Sequence, residues 1–162
     1  MPDFDEQYDS YAMWEHSGKF EGDIVLTQQI ERNGIISDSE KWKNREIPYE
    51  LDPIFDDFDA AWIRECLGEI SRKTCLNVRP KVPEDMDYIH VISGQGCYSL
   101  IGRVGGRQEL SLRRNLTGVG CLRSGTIIHE FLHAAGFFHQ HSSPDRDQYI
   151  QIIGENVVEG NL

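Results

Sequence analysis

Apolar positions recur at short alternating spacings in several stretches and at helical spacing in two longer ones. Glu46 to Leu51 (EIPYEL) reads as a strand closed by Asp52-Pro53. From Phe58 to Thr74 the spacing turns helical, with Phe58, Trp62, Cys66 and Ile70 on one stripe and Ala61, Ile63 and Leu67 beside it. Three short runs rich in apolar or β-branched residues read as strands: Leu76 to Val78, Tyr88 to Ile92 and Cys97 to Ile101. Gly102 to Gly106 reads as a flexible turn, and Gln108 to Leu112 as a further strand whose alternating Leu110 and Leu112 suggest an exposed edge. A second helix is expected to begin near Ser124, whose hydroxyl is suited to cap it. Ile127, Ile128, Phe131, Leu132 and Ala135 would give that helix its apolar packing, and Gly136 a left-handed stop. With no internal repeat or low-complexity tract, one compact α+β unit is the expectation.

Composition narrows the function. A chain of 162 residues fits one domain, or one domain with an appendage. A formal charge of −11 argues against a polyanionic partner, so nucleic acid is not an expected ligand. The acidity is concentrated at the start: Asp3, Asp5, Glu6, Asp9, Glu15, Glu21 and Asp23 face a single base, Lys19, across the first 23 positions. Residues 1 to 16 read as a solvated acidic tail. No apolar run reaches the roughly 18 residues needed to span a bilayer. The opening MPDFDEQYDS also lacks the basic start and apolar stretch of a secretory signal, so either the protein is cytosolic or a signal lies outside this chain. No two of Cys66, Cys75, Cys97 and Cys121 are spaced as CxxC, which disfavours a cysteine metal site and leaves disulfides open. Asn115-Leu116-Thr117 is an acceptor sequon for N-glycosylation.

The stretch that carries chemistry is HEFLHAAGFFHQHSSPDRDQYI, from His129 to Ile150. Its first five residues form HExxH. On a helix, His129 and His133 lie four apart and project from one face, near enough for both imidazoles to ligate one metal ion. A reversal at Gly136 would bring His139 back as a third ligand, leaving a tetrahedral Zn²⁺ with one position open for water. Three neutral imidazoles suit zinc. The adjacent Glu130 is then the general base that takes the water's proton and passes it to the leaving amine, so that the reaction is peptide-bond hydrolysis. His16 and His90 fall at no ligand spacing, and His141 reads as a rim or packing residue.

HExxHxxGxxH is the signature of the metzincins, and HEFLHAAGFFHQH followed by DRDQY resembles the astacin family of zinc endopeptidases. The likeness reaches further: NGIISDSEKW (Asn33 to Trp42) with IPYEL resembles the mature astacin start, RKTC (Arg72 to Cys75) the end of its first long helix, and GCYSLIGRVGGRQELSL its cleft-side strands. The resemblance implies a twisted, mostly parallel sheet with an antiparallel edge strand and two long helices, the second carrying the zinc motif. It implies zinc ligands His129, His133 and His139, one Zn²⁺ per chain, general base Glu130 and a disulfide between Cys97 and Cys121. FEGDI (Phe20 to Ile24) resembles the propeptide motif whose aspartate, here Asp23, takes the water position on zinc and keeps the zymogen silent. The activation bond would be Arg32-Asn33, suited to a trypsin-like protease. Residues 1–32 would then be an acidic propeptide and 33–162 the N-terminal peptidase subdomain of a secreted enzyme acting on proteins or peptides. An extended substrate would lie antiparallel to Gln108–Leu112.

Three features depart from the family pattern. Gln140 stands where a glutamate usually pairs with the freed N-terminal amine, so anchoring of Asn33 should be weaker. Ser143-Pro144 replaces an arginine-containing stretch. No SxMHY occurs, so the Met-turn and its tyrosine are missing, and Tyr149 belongs to DRDQY instead. The expectation is an incomplete chain without the C-terminal subdomain, with no family-based partner for Cys66 or Cys75. The rival reading is a zinc-binding or interaction fragment without catalysis.

Overall fold

The computed structural model describes residues 17–26 and 38–157. Its strands are β1 (Ile24–Val25), β2 (Glu46–Leu51), β3 (Asn77–Pro80), β4 (Tyr88–Ile92), β5 (Cys97–Leu100) and β6 (Arg107–Leu112). They form one sheet in the order β1-β5-β6-β4-β2-β3. All neighbours run parallel except β5 and β6, which are antiparallel. The mostly parallel α+β architecture expected from the sequence is thus the observed one. Pro48 is tolerated inside β2 because it sits in the half of that strand that pairs with β3 alone, before pairing with β4 begins at Tyr49.

Two helices pack on the sheet: α1 (Asp57–Lys73) and α2 (Ser124–Ala135). Asp56 caps α1, its carboxylate accepting from the amides of Phe58 and Asp59 at 3.0 Å each. The helical period of α1 is as read, and Cys66, Ile70, Ile63 and Leu67 face the core as expected, but Phe58 and Ala61 do not. Ala60, Ile63, Cys66, Leu67 and Ile70 are buried, whereas Phe58 is 72% exposed. Asp59, next to Phe58, is the buried residue at that end of the helix, bonded to Arg114 and Thr117. At α2 the expected hydroxyl cap is not made: Ser124 is the first helical residue, Arg123 holds the cap position, and no side chain caps the helix there.

Ile63, Leu67 and Ile70 of α1, Ile47, Ile89, Val91 and Leu110 of the sheet, and Ile127 and Phe131 of α2 share one buried cluster. Burial of this surface, at about 25 cal/mol per Å² of apolar area, is the main force holding helices to sheet. Gln108–Leu112 is not an edge. It lies in β6, between β4 and β5, and Gln108, Leu110, Ser111 and Leu112 are all buried. The polar residues that made it look solvent-facing are satisfied internally, Gln108 Nε2 donating to Gly102 O at 2.8 Å and Ser111 Oγ to Gly96 O at 2.8 Å.

Residues 17–26 form a strap along the outer edge of β5. Phe20 and Ile24 exchange backbone hydrogen bonds, Gly22 N–H bonds Lys19 O at 3.1 Å, and Ser99 N–H bonds Asp23 O at 2.9 Å. Ile24 is fully buried there. Among the described residues no helix is long and apolar enough to cross a membrane.

Candidate metal centre

Three hydrogen bonds set the position of α2 and its C-terminal turn. Trp42 Nε1 donates to Ala134 O at 2.7 Å, Trp62 Nε1 to Leu122 O at 2.8 Å, and Gly102 N–H to His133 O at 2.9 Å. The disulfide joining Cys97 to Cys121 ties β5 to the approach to α2. Cys66 and Cys75 are free thiols. At Gly136 the chain turns with φ 117°, a left-handed conformation that favours glycine, and its amide caps Leu132 O and His133 O. That turn returns Phe137 O to His133 Nδ1 at 2.7 Å and carries His139 back toward the helix.

The structure brings His129, His133 and His139 together through their Nε2 atoms. His129 Nε2 lies 3.0 Å from His133 Nε2 and 3.2 Å from His139 Nε2. The partners of the other ring nitrogens assign the tautomers: His133 Nδ1 donates to a carbonyl and His139 Nδ1 donates to Glu21 Oε2 at 2.8 Å. In that tautomer each ring turns an Nε2 lone pair toward the same point. Lone pairs facing one another need a cation or proton between them, and only one ring, His129, has a proton free to supply.

Asp23 completes the set. Its Oδ2 is 3.0 Å from His129 Nε2, and its Oδ1 lies 3.3 Å from His139 Nε2 and 3.6 Å from His133 Nε2. The four donor atoms fall within 4.8 Å of one another. A tetrahedral zinc with bonds near 2.0–2.1 Å has ligand separations of about 3.3 Å, so the chemistry and spacing of this donor set fit Zn²⁺. Burial works against the Asp23 charge, yet the imidazoles of His129, His133 and His139 around it outweigh that and hold the carboxyl well below its ordinary range.

Glu130 follows His129 directly and is wholly buried. Among the described residues neither of its oxygens has a hydrogen-bond partner. Burial, and after it the negative charge of Asp23, push its carboxyl well above the ordinary value. A buried carboxyl without a partner, with a perturbed proton affinity and beside three histidines, is the kind of group that marks a functional site. The cluster opens on a cavity of about 410 Å³ lined by Glu21, Asp23, Gly125, Thr126, His129, Glu130, His139 and His141. His141 stays on the rim, exposed, stacked on His139 with centroids 5.1 Å apart.

Arg32 and Asn33 lie outside the described residues, as do residues 1–16. Asn115 is on the surface, its sequon partner Thr117 bonded through Oγ1 to Asp59 Oδ1 at 2.9 Å. Gln140 is exposed on the turn after His139. The sequence reading passed over Glu21 and Ser142, which meet at 2.6 Å beside the cluster. The only sequence signal was that Glu21 belongs to FEGDI.

A mostly parallel sheet with a backing helix that turns two histidines, and then a third, onto one point has the fold of a metzincin-like peptidase lobe. Comparison with known proteins narrows this. The family model Astacin (Peptidase family M12A) matches residues 34–162. Zinc metalloproteinase nas-13 of Caenorhabditis elegans is 42% identical over 131 residues, 81% of this chain and 28% of that protein. Meprin A subunit beta of Rattus norvegicus is 39% identical over 142 residues, 87% of this chain and 19% of that protein. High choriolytic enzyme 1, a hatching enzyme zinc-protease from Oryzias latipes, superposes with TM-score 0.63 at 38% identity, over 74% of this chain and 58% of that one. The chain belongs to the astacin family, and it spans less than a third of the length of these two curated relatives.

Proposed function

We propose that the chain carries the metal-binding lobe of a secreted zinc endopeptidase together with the strap that keeps it latent. The observation that carries this reading is the convergence of three histidine Nε2 atoms and the Asp23 carboxylate on one point, beside the buried, unpartnered Glu130. His129, His133 and His139 would hold one Zn²⁺. When bound, the ion supplies Lewis-acid polarisation of water and of the scissile carbonyl.

The rest of the work falls to the chain itself. Glu130 takes the proton of the attacking water and returns it to the leaving nitrogen. Its proton affinity, raised first by burial, suits that exchange. Asp23 occupies the corner of the cluster where water would otherwise enter, so the strap must leave before Glu130 meets a substrate. An extended peptide would pair with the outer edge of β5, the edge β1 takes while the strap is in place. This replaces β6 as the substrate-binding strand. Cleavage at Arg32-Asn33 by a trypsin-like protease would free residues 1–32 from the lobe beginning at Asn33. Asn115, exposed on its loop, is the candidate glycan acceptor of a secreted form.

The test uses the full-length protein, wild type and Glu130→Gln. Zinc content is measured by elemental analysis and hydrolysis of denatured casein before and after trypsin. One zinc per chain, with activity appearing after trypsin and lost in Glu130→Gln with zinc retained, is the expected result. Zinc binding without trypsin-dependent hydrolysis would overturn the enzymatic reading, and hydrolysis unchanged by Glu130→Gln would overturn the role of Glu130.

A further inference from the structure

We propose that Glu21 is a second latch of the strap, a positioning residue that fixes His139 and slows loss of metal for as long as the strap is bound. The proposal rests on the metal reading of the histidine cluster. Two independent observations single the residue out.

The first is its backbone. Glu21 sits at φ 50° in the turn closed by Gly22 N–H on Lys19 O. This is the left-handed region, where glycine or asparagine is favoured and a glutamate has no local reason to be. A residue held in a disfavoured conformation points to a use for its side chain.

The second is where that side chain goes. Glu21 Oε2 accepts from His139 Nδ1 at 2.8 Å, and Oε1 accepts from Ser142 Oγ at 2.6 Å. Both donors come from the exposed turn that carries the third histidine, more than 110 positions away in sequence. The contrast with His133 is instructive. His133 Nδ1 is held by Phe137 O, a carbonyl of the same helix end that stays whether or not the strap is present. His139 depends on a carboxylate that departs with the strap. An acceptor on the far ring nitrogen fixes the tautomer and aim of a ligating histidine, and its removal weakens metal retention by about 10- to 100-fold in metal sites generally. The strap therefore acts at two places: Asp23 on the ligand side of the cluster and Glu21 behind its third ring. Departure of the strap would leave His139 freer and the metal more exchangeable.

The test follows zinc transfer from the uncut, zinc-loaded full chain to the chromogenic chelator 4-(2-pyridylazo)resorcinol, a readout independent of proteolysis. Glu21→Gly removes the carboxylate and also relieves the left-handed backbone. Glu21→Gln keeps an acceptor for His139 Nδ1. The proposal predicts zinc release about 10-fold faster in Glu21→Gly and a rate near wild type in Glu21→Gln. If Glu21 were only a turn residue, glycine would tighten the strap, and zinc release at or below the wild-type rate would overturn the latch. A wild-type chain that takes up no zinc would overturn the metal reading and the latch together, whereas normal uptake with unaltered release in Glu21→Gly overturns the latch alone.

Discussion

Replacing Ile24 by alanine tests how firmly the strap is held while leaving Glu21, Asp23 and the histidines intact. The side chain is fully buried, in a strand of two residues at the outer edge of the sheet. The substitution removes three carbons, about 2.4 kcal/mol at ~0.8 kcal/mol for each buried methylene. Buried isoleucine to alanine changes span roughly 2–5 kcal/mol, and a short edge strand can settle into the space left behind, which favours the low end. A loss of about 2–3 kcal/mol, at 1.4 kcal/mol per tenfold, raises the equilibrium for strap opening roughly 30- to 150-fold. Hydrogen exchange reads this directly at two amides: Ile24 N–H, bonded to Phe20 O at 2.9 Å, and Ser99 N–H, bonded to Asp23 O at 2.9 Å. Their protection should fall by that factor while amides of β4 and α2 keep theirs, because a strap held by so few bonds opens without global unfolding. Unchanged exchange at both amides, or an equal fall throughout the sheet, would refute the reasoning.

Asp59→Ala removes a buried acceptor that bonds Arg114 Nε at 2.6 Å and Thr117 Oγ1 at 2.9 Å. Breaking a buried pair costs about 3–5 kcal/mol, and here about 2–3 kcal/mol is expected because Arg114 is 41% exposed and keeps Asp56; a urea midpoint within error of wild type would contradict this. Hydrogen bonds from Arg79 and from the Val82 amide hold the Asp85 carboxyl down at about 2, below its ordinary 3.8. A lowered folded-state value stabilises the fold above about pH 4 and ceases to do so as pH falls through about 2, so the stability advantage of wild type over Asp85→Asn should vanish across that window; an advantage independent of pH would refute it.

The histidine site was legible because its information is local. A four-residue spacing on one helix and a glycine reversal determine where His129, His133 and His139 go, and no distant element is needed to read them. What failed was whatever distant partners decide. Gln108 and Ser111 carry polar side chains whose acceptors are carbonyls of neighbouring loops, so the sequence of β6 alone resembles an edge although pairing on both sides makes it interior. In α1 the reading held at Ile63, Cys66, Leu67 and Ile70 and failed at the first turn, where Asp59 rather than Phe58 is buried, bonded to a residue 55 positions later. Glu21 has its donors at His139 and Ser142, and only the folded chain reveals the pairing.

The measurement that bears most directly on the account is zinc K-edge absorption of the uncut, zinc-loaded protein. Three imidazoles and one oxygen ligand are predicted, with one imidazole lost in His133→Ala. Fewer than three imidazoles, or sulfur in the first coordination sphere from the free Cys75, would contradict the assignment of the site.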